Sequence, residues 1–303
     1  MNVIETIALT RRFRRVEAVR ELNLEVPEGC VYALMGPNGA GKSTLIKLLM
    51  NLLAPTSGCA RLLGVDSEQL RGAYLESVGY VSENQKFPEW MTVDAFLAYM
   101  RPFYPTWDRE LERRLVKRFE LPPKQKLKRL SRGMRMKAAL ASALAFHPRL
   151  LVLDEPLSGL DPLVRDDLMA GLLEQASETT VLLSSHDLAE IDSFASHVGY
   201  IDRGSLLLSE PIERVRTKFR RVEAISAEDI QPPATLPSAW LRAEFSGRKA
   251  TWTETEYESN ASSAQATALL GPVSLESQQL TLREVFLTLA HRQRDLAAKD
   301  GVR

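Results

Sequence analysis

Short runs of Val and Leu alternate with longer amphipathic stretches through most of residues 1–210, the pattern of an α/β domain built on a largely parallel sheet. Strands are predicted at Val3–Ala8, Ala18–Val26, Val31–Leu34, Ala60–Leu63, Val78–Val81, Leu150–Leu153, Val181–Ser184, Val198–Ile201 and Leu206–Leu208. Between Thr92 and Phe146 helical periods replace the strand signals, broken at Pro102, Pro105, Pro122 and Pro123, which predicts an all-helical insert spanning about 84–146. Beyond Glu213 the pattern weakens. Gln231-Pro232-Pro233 and Ser259–Ser263 read as loops, faint strand patterns surround Trp240 and Trp252, and Thr281-Leu282-Arg283-Glu284 has the spacing of a capping box that opens a last helix. The expected organisation is an α/β domain over 1–213 and a small α+β appendage over 214–303.

Composition narrows the function classes. The 303 residues carry 39 Lys plus Arg against 39 Asp plus Glu, so bulk coating of a polyanion is not expected. That balance is a sum of opposites: residues 109–137 hold twelve Lys/Arg and three Glu, while 154–213 hold thirteen Asp/Glu and two Arg. A local cationic surface therefore stays open. Cys30 and Cys59 form no CxxC or Cys/His pattern, which leaves a disulfide scaffold and a zinc site unsupported. Met1-Asn2-Val3-Ile4-Glu5 lacks the order of a secretory signal, and no apolar run approaches the roughly eighteen residues of a membrane span. The expectation is a cytosolic protein that reaches a membrane only through a partner.

Three segments carry chemistry. Gly36-Pro37-Asn38-Gly39-Ala40-Gly41-Lys42-Ser43-Thr44 sits between an apolar strand and a helical run, the context in which backbone N–H groups cradle phosphates, a Lys reaches the β/γ-phosphates and a Ser hydroxyl ligates Mg²⁺. Leu150-Leu151-Val152-Leu153-Asp154-Glu155 is a buried strand ending in two carboxylates, Asp154 suited to a Mg²⁺ shell and Glu155 to polarising water for in-line attack. His186 follows another apolar strand on the same rim, where an imidazole can hydrogen-bond a γ-phosphate or the attacking water.

In this order, over about residues 1–215, these segments resemble the ATP-binding subunit of an ATP-binding cassette (ABC) transporter, a P-loop NTPase with a helical insert. The resemblance implies a Mg²⁺-dependent ATPase with ATP as substrate, and adds Ser158-Gly159-Leu160-Asp161 as the loop after the acidic strand, with Asp161 at the dimer interface. It assigns His186 as the switch histidine and sets Phe13 against adenine, although a core Phe beside the first strand is the competing reading. The signature segment maps to Leu130-Ser131-Arg132-Gly133-Met134, expected to meet ATP held by a second copy or a sister subunit. Arg132 and Met134 stand where the family has Gly and Gln. Glu83, in Gly79-Tyr80-Val81-Ser82-Glu83-Asn84-Gln85, stands where it has a Gln that links Mg²⁺ to the helical insert; Gln85 is the other candidate for that role.

Seven aromatic rings crowd residues 87–107, namely Phe87, Trp90, Phe96, Tyr99, Phe103, Tyr104 and Trp107, either as core or as a face for the membrane subunit that the resemblance implies. Trp107-Asp108, the signature and the short appendage are most similar to separate-chain ATPases of bacterial type-two exporters, peripheral proteins of the cytoplasmic membrane face that work with a multi-span permease. A non-transport ABC ATPase acting on ribosomes or nucleic acid is the alternative, but such proteins usually join two cassettes or carry long coiled coils. In the appendage Glu254, Glu256 and Glu258 would share one face if they lie on a strand.

Overall fold

The computed structural model describes residues 1–83, 85–174, 179–188, 191 and 194–300, so Asn84 of the predicted Gly79–Gln85 segment lies outside it. The chain divides into two compact units, Met1–Ser209 and Glu210–Arg303.

The first unit opens with β1 (Asn2–Phe13), β2 (Val16–Leu22), β3 (Glu25–Pro27) and β4 (Val31–Met35), followed by α1 (Lys42–Leu49), β5 (Ser57–Leu62), β6 (Val65–Asp66) and β7 (Val78–Val81). Helices α2 (Val93–Met100), α3 (Arg109–Arg118) and α4 (Arg132–Leu144) follow, then β8 (Leu150–Asp154), α5 (Pro162–Leu173), β9 (Thr180–Ser185), β10 (His197–Asp202) and β11 (Ser205–Pro211).

The expected parallel sheet exists, in the order β11-β10-β4-β9-β8-β7, with parallel pairing from β10 through β7. Its central strands are buried on both sides because successive residues feed opposite cores. Val31, Leu151, Leu153, Val181 and Leu183 pack with the helical insert, whereas Tyr32, Leu34, Leu150, Val152 and Leu182 pack with α1 and the first strands.

Two sequence expectations need correction. The early strands do not join this sheet but make an antiparallel one of their own, β2-β1-β5-β6 with β3 on β1. Nor is Ala18–Val26 one strand. The buried Thr6 hydroxyl donates to Leu22 O at 2.7 Å and accepts the Leu24 N–H at 2.8 Å, so a side chain fills the ladder where β2 stops and β3 has not begun.

In the second unit α6 (Ile212–Lys218) leads to β12 (Arg220–Ser226), β13 (Trp240–Ser246), β14 (Lys249–Glu254), α7 (Ser259–Leu270), β15 (Val273–Gln279) and α8 (Leu282–Asp300). The four strands form an antiparallel sheet, β13-β14-β12-β15, whose core includes Trp240 stacked on Trp252 with ring centroids 4.0 Å apart. Ser259–Ser263, expected as a loop, is the start of α7. Only Ser262 and Ala266 on that helix are buried, and this narrow stripe is too faint a period to stand out among polar residues. The acidic trio does not share a strand face, because β14 ends at Glu254. The Glu254 carboxylate is buried and accepts from Trp252 Nε1 at 3.1 Å and Ser262 Oγ at 2.5 Å, while Glu256 pairs with Lys218. The Thr281–Glu284 capping box forms: Glu284 Oε2 accepts the Thr281 N–H and the Thr281 hydroxyl accepts the Glu284 N–H.

Candidate functional site

Strand β9 lies between β4 and β8, with Met35 opposite Ser185 and Ser184 opposite Asp154. The carboxyl ends of three adjacent strands therefore release the 36–41 loop, His186 and Glu155 at one rim of the sheet. The loop is built for close approach. A methyl at Gly36 would stand 2.2 Å from Ile201 O, and one at Gly41, where φ is +113°, would stand 2.3 Å from Ala18 O. Gly41 caps α1 with no side chain on the first N–H groups of the helix, which stay available to an anion.

Lys42 is buried. Its ammonium donates to Gly36 O at 2.7 Å and lies 3.1 Å from Glu155 Oε1. The other Glu155 oxygen, Oε2, is 2.7 Å from His186 Nδ1, so this buried carboxylate spans the two groups. Opposite a carboxylate Nδ1 carries the proton, which in the neutral ring leaves Nε2 as an acceptor.

Asp154 is 4% exposed and has no ion pair among the described residues. Its Oδ1 receives hydroxyl bonds from Ser43 at 3.0 Å and Ser184 at 2.9 Å, and Ser184 Oγ in turn accepts the Glu155 N–H at 2.9 Å. Burial, and then the Asp154 charge, push the Tyr80 hydroxyl above its usual pKa. A buried carboxylate joined to two hydroxyls, beside a phosphate loop, is an all-oxygen set that suits a hard divalent cation. Ser184 was not singled out in the sequence; its only signal there is a hydroxyl at the end of an apolar strand.

Residues 38–44, Glu83, Glu155, Ser158 and His186 line one cleft of about 390 Å³. A larger hollow of about 730 Å³ opens beside the antiparallel sheet, lined by Thr10, Arg12, Glu17, Arg20 and neighbours, and contains none of these groups. The phosphate loop and the Lys42, Glu155 and His186 groups line the smaller one. Phe13 does not line that cleft; its ring is 41% exposed with the Arg11 guanidinium 4.6 Å over the face.

None of the signature residues lines the cleft itself. Ser131 caps α4, accepting the Met134 N–H at 3.2 Å. Gly133 is buried against α5, where a methyl would come within 2.7 Å of Val164 Cγ1, so its small size serves packing in this chain. Met134 packs at the edge of the core, and Asp161 caps α5 by accepting the Leu163 N–H at 3.0 Å. Arg132 Nη2 lies 3.7 Å from Glu83 Oε1.

The aromatic segment splits. Phe96 is buried and T-stacks on Phe87, Tyr104 stacks on Phe146, and Trp107 donates to Glu112, while Trp90, Tyr99 and Phe103 are 69%, 53% and 57% exposed.

Residues 19–158 match the family model described as ABC transporter. The chain is 31% identical over 251 residues to the bacitracin transport ATP-binding protein BcrA of Enterococcus faecalis, covering 80% of each. It is 36% identical over 214 residues to the daunorubicin/doxorubicin resistance ATP-binding protein DrrA of Streptomyces peucetius, covering 68% of this chain but only 64% of that one. Among solved structures, an ATP-binding subunit of an ABC transporter aligns with a TM-score of 0.65 at 27% identity, covering 71% of this chain and 92% of that chain.

Proposed function

The chain belongs to the ATP-binding proteins of ABC transporters, and from that premise we propose that it is the ATP-hydrolysing subunit of an exporter whose membrane-spanning permease is a separate chain. The observation that carries this reading is Glu155, held between Lys42 and His186 at the mouth of the phosphate loop.

ATP phosphates would lie against the N–H groups of residues 38–44, and their oxygens would replace Glu155 on the Lys42 ammonium. Freed from that cation, Glu155 accepts a proton from water as the water attacks the γ-phosphorus in line; the bond to the bridging oxygen breaks, leaving ADP and phosphate. His186, with Nδ1–H on Glu155, offers Nε2 to the attacking water. Ser43, Asp154 and Glu83 would hold Mg²⁺, which when bound neutralises charge on the phosphate oxygens. Ser131, Arg132, Gly133 and Met134 would complete the site of a second copy or a sister subunit, and Asp161 would lie at that interface. Phe13 remains the candidate for adenine.

The exposed rings of Trp90, Tyr99 and Phe103 support a docking face for the permease. No helix among the described residues is long and apolar enough to cross a membrane, so the permease would hold this subunit at the cytoplasmic face. The relatives named for bacitracin transport and daunorubicin/doxorubicin resistance support export. The test is co-expression with the adjacent reading frames. Co-purification with a multi-span membrane protein and Mg²⁺-dependent ATP hydrolysis are expected; capture of ribosomes or nucleic acid instead would overturn the transport role.

A further inference from the structure

Arg132 and Glu83 are both departures from the pattern of the family, and they meet each other. Two segments meet the Arg132 guanidinium at the start of α4: the Glu83 carboxylate lies at 3.7 Å, and a methyl at Gly159 would lie 2.9 Å from Nη1. Glu83 is a wall between two hollows. One is the phosphate cleft; the other, also about 390 Å³, is lined by Arg132, Arg135, Gln85, Phe87 and Met136. No acidic residue lies in the first turn of α4, so the helix dipole disfavours Arg132 unless an anion outside the helix offsets it. The side chains of Arg132 and Glu83 are 51% and 38% exposed, which makes the pair weak enough to exchange.

We propose that Arg132 and Glu83 form an exchangeable ion pair that links the metal and phosphate cleft of this chain to the tip of its own signature helix. A Glu83 carboxylate that holds Mg²⁺ would let go of Arg132, so a guanidinium would be free at the signature when the cleft of the same chain is filled. This rests on the ATPase reading above. Arg132 acts here as a positioning residue, through Glu83 and not on the phosphates of its own cleft.

The test is a double-mutant cycle on the intact chain, diluted until it is monomeric so that Arg132 meets no nucleotide of a second copy, and read as the affinity for a fluorescent ATP analogue with Mg²⁺ and with EDTA. Arg132→Ala removes the competitor for Glu83 and should tighten Mg²⁺-nucleotide binding about two- to five-fold, the range of an exposed ion pair, with no change in EDTA. In a Glu83→Gln background the same substitution should do nothing, and Arg132→Lys should stay close to the parent. An Arg132→Ala effect that is equal with and without metal, or that persists beside Glu83→Gln, overturns the exchange. Failure of the parent chain to bind nucleotide, or binding that survives Lys42→Ala unchanged, would instead overturn the ATPase reading.

Discussion

The Glu155 carboxylate and the Lys42 ammonium meet at 3.1 Å, both buried, so the group suited to be the base rests on the cation suited to bind phosphate. Under the proposed ATPase reading, arrival of the phosphates and release of the base would be coupled by competition for one ammonium. Glu155→Gln removes the competitor and the base together. It should lower ATP turnover by about 100-fold or more while leaving nucleotide affinity equal or tighter, and should trap a dimer at saturating ATP with Mg²⁺. Turnover and size-exclusion profiles check this; a variant that stays monomeric would argue against the sandwiched dimer.

Lys42→Ala should weaken nucleotide binding by more than about tenfold, since the phosphates lose their charged donor. It also strips a buried carboxylate of its cation, so thermal stability in the absence of nucleotide should fall. An isothermal titration and a melting curve separate the two effects.

Ser184 ties the Asp154 carboxylate to the Glu155 backbone through two bonds of 2.9 Å. Ser184→Ala is expected to cost about 1–2 kcal/mol in urea unfolding, because it leaves a buried N–H without its partner. Turnover should drop with it. Full activity and unchanged stability together would mean that the hydroxyl positions neither acid.

Arg101 grips Glu112 with bonds of 2.8 and 2.7 Å, and Trp107 Nε1 adds one of 2.7 Å. Burial works to raise the Glu112 pKa, but the bonds from Arg101 and Trp107 prevail and hold it below its ordinary 4.5. Such a depressed carboxylate contributes its stabilisation above that ordinary value and loses it as pH falls through the lower, folded one. Glu112→Gln should therefore cost about 1–3 kcal/mol at neutral pH. The gap from the parent chain should narrow in denaturation curves as the pH falls below that ordinary value and through the lower, folded one.

Trp90→Ala should leave the isolated chain as stable as the parent within about 0.5 kcal/mol, since the ring is 69% exposed. In the complex it should release the membrane subunit in a pull-down if the ring is an anchor. Retention of that subunit would remove Trp90 from the docking face.

Local chemistry was legible where it repeats within a few residues. The apolar runs at Val31–Leu34, Leu150–Leu153 and Val181–Ser184 announced buried parallel strands, the glycines before Lys42 announced the turn, and the Thr281–Glu284 box announced a helix start. Each follows from a backbone or side-chain preference that acts over short range. The break after β2 was not legible, because the Thr6 hydroxyl that fills it comes from another strand. Nor was the fate of the charges: part of the basic 109–137 segment is held inside the unit, where Asp167 receives both Arg118 and Lys137 and Arg118 also reaches Glu174.

By itself the sequence determined the P-loop class of the domain, because a phosphate loop and a strand ending in carboxylates are written in contiguous residues. Only the tertiary structure decided which groups meet. It set Glu155 between Lys42 and His186, ran a Ser184 bridge to Asp154, and paired Arg132 with Glu83 across 49 positions of chain. Strand order and register bring the groups at the strand ends together, and both depend on how two hydrophobic faces are buried on the same sheet rather than on any local run of residues.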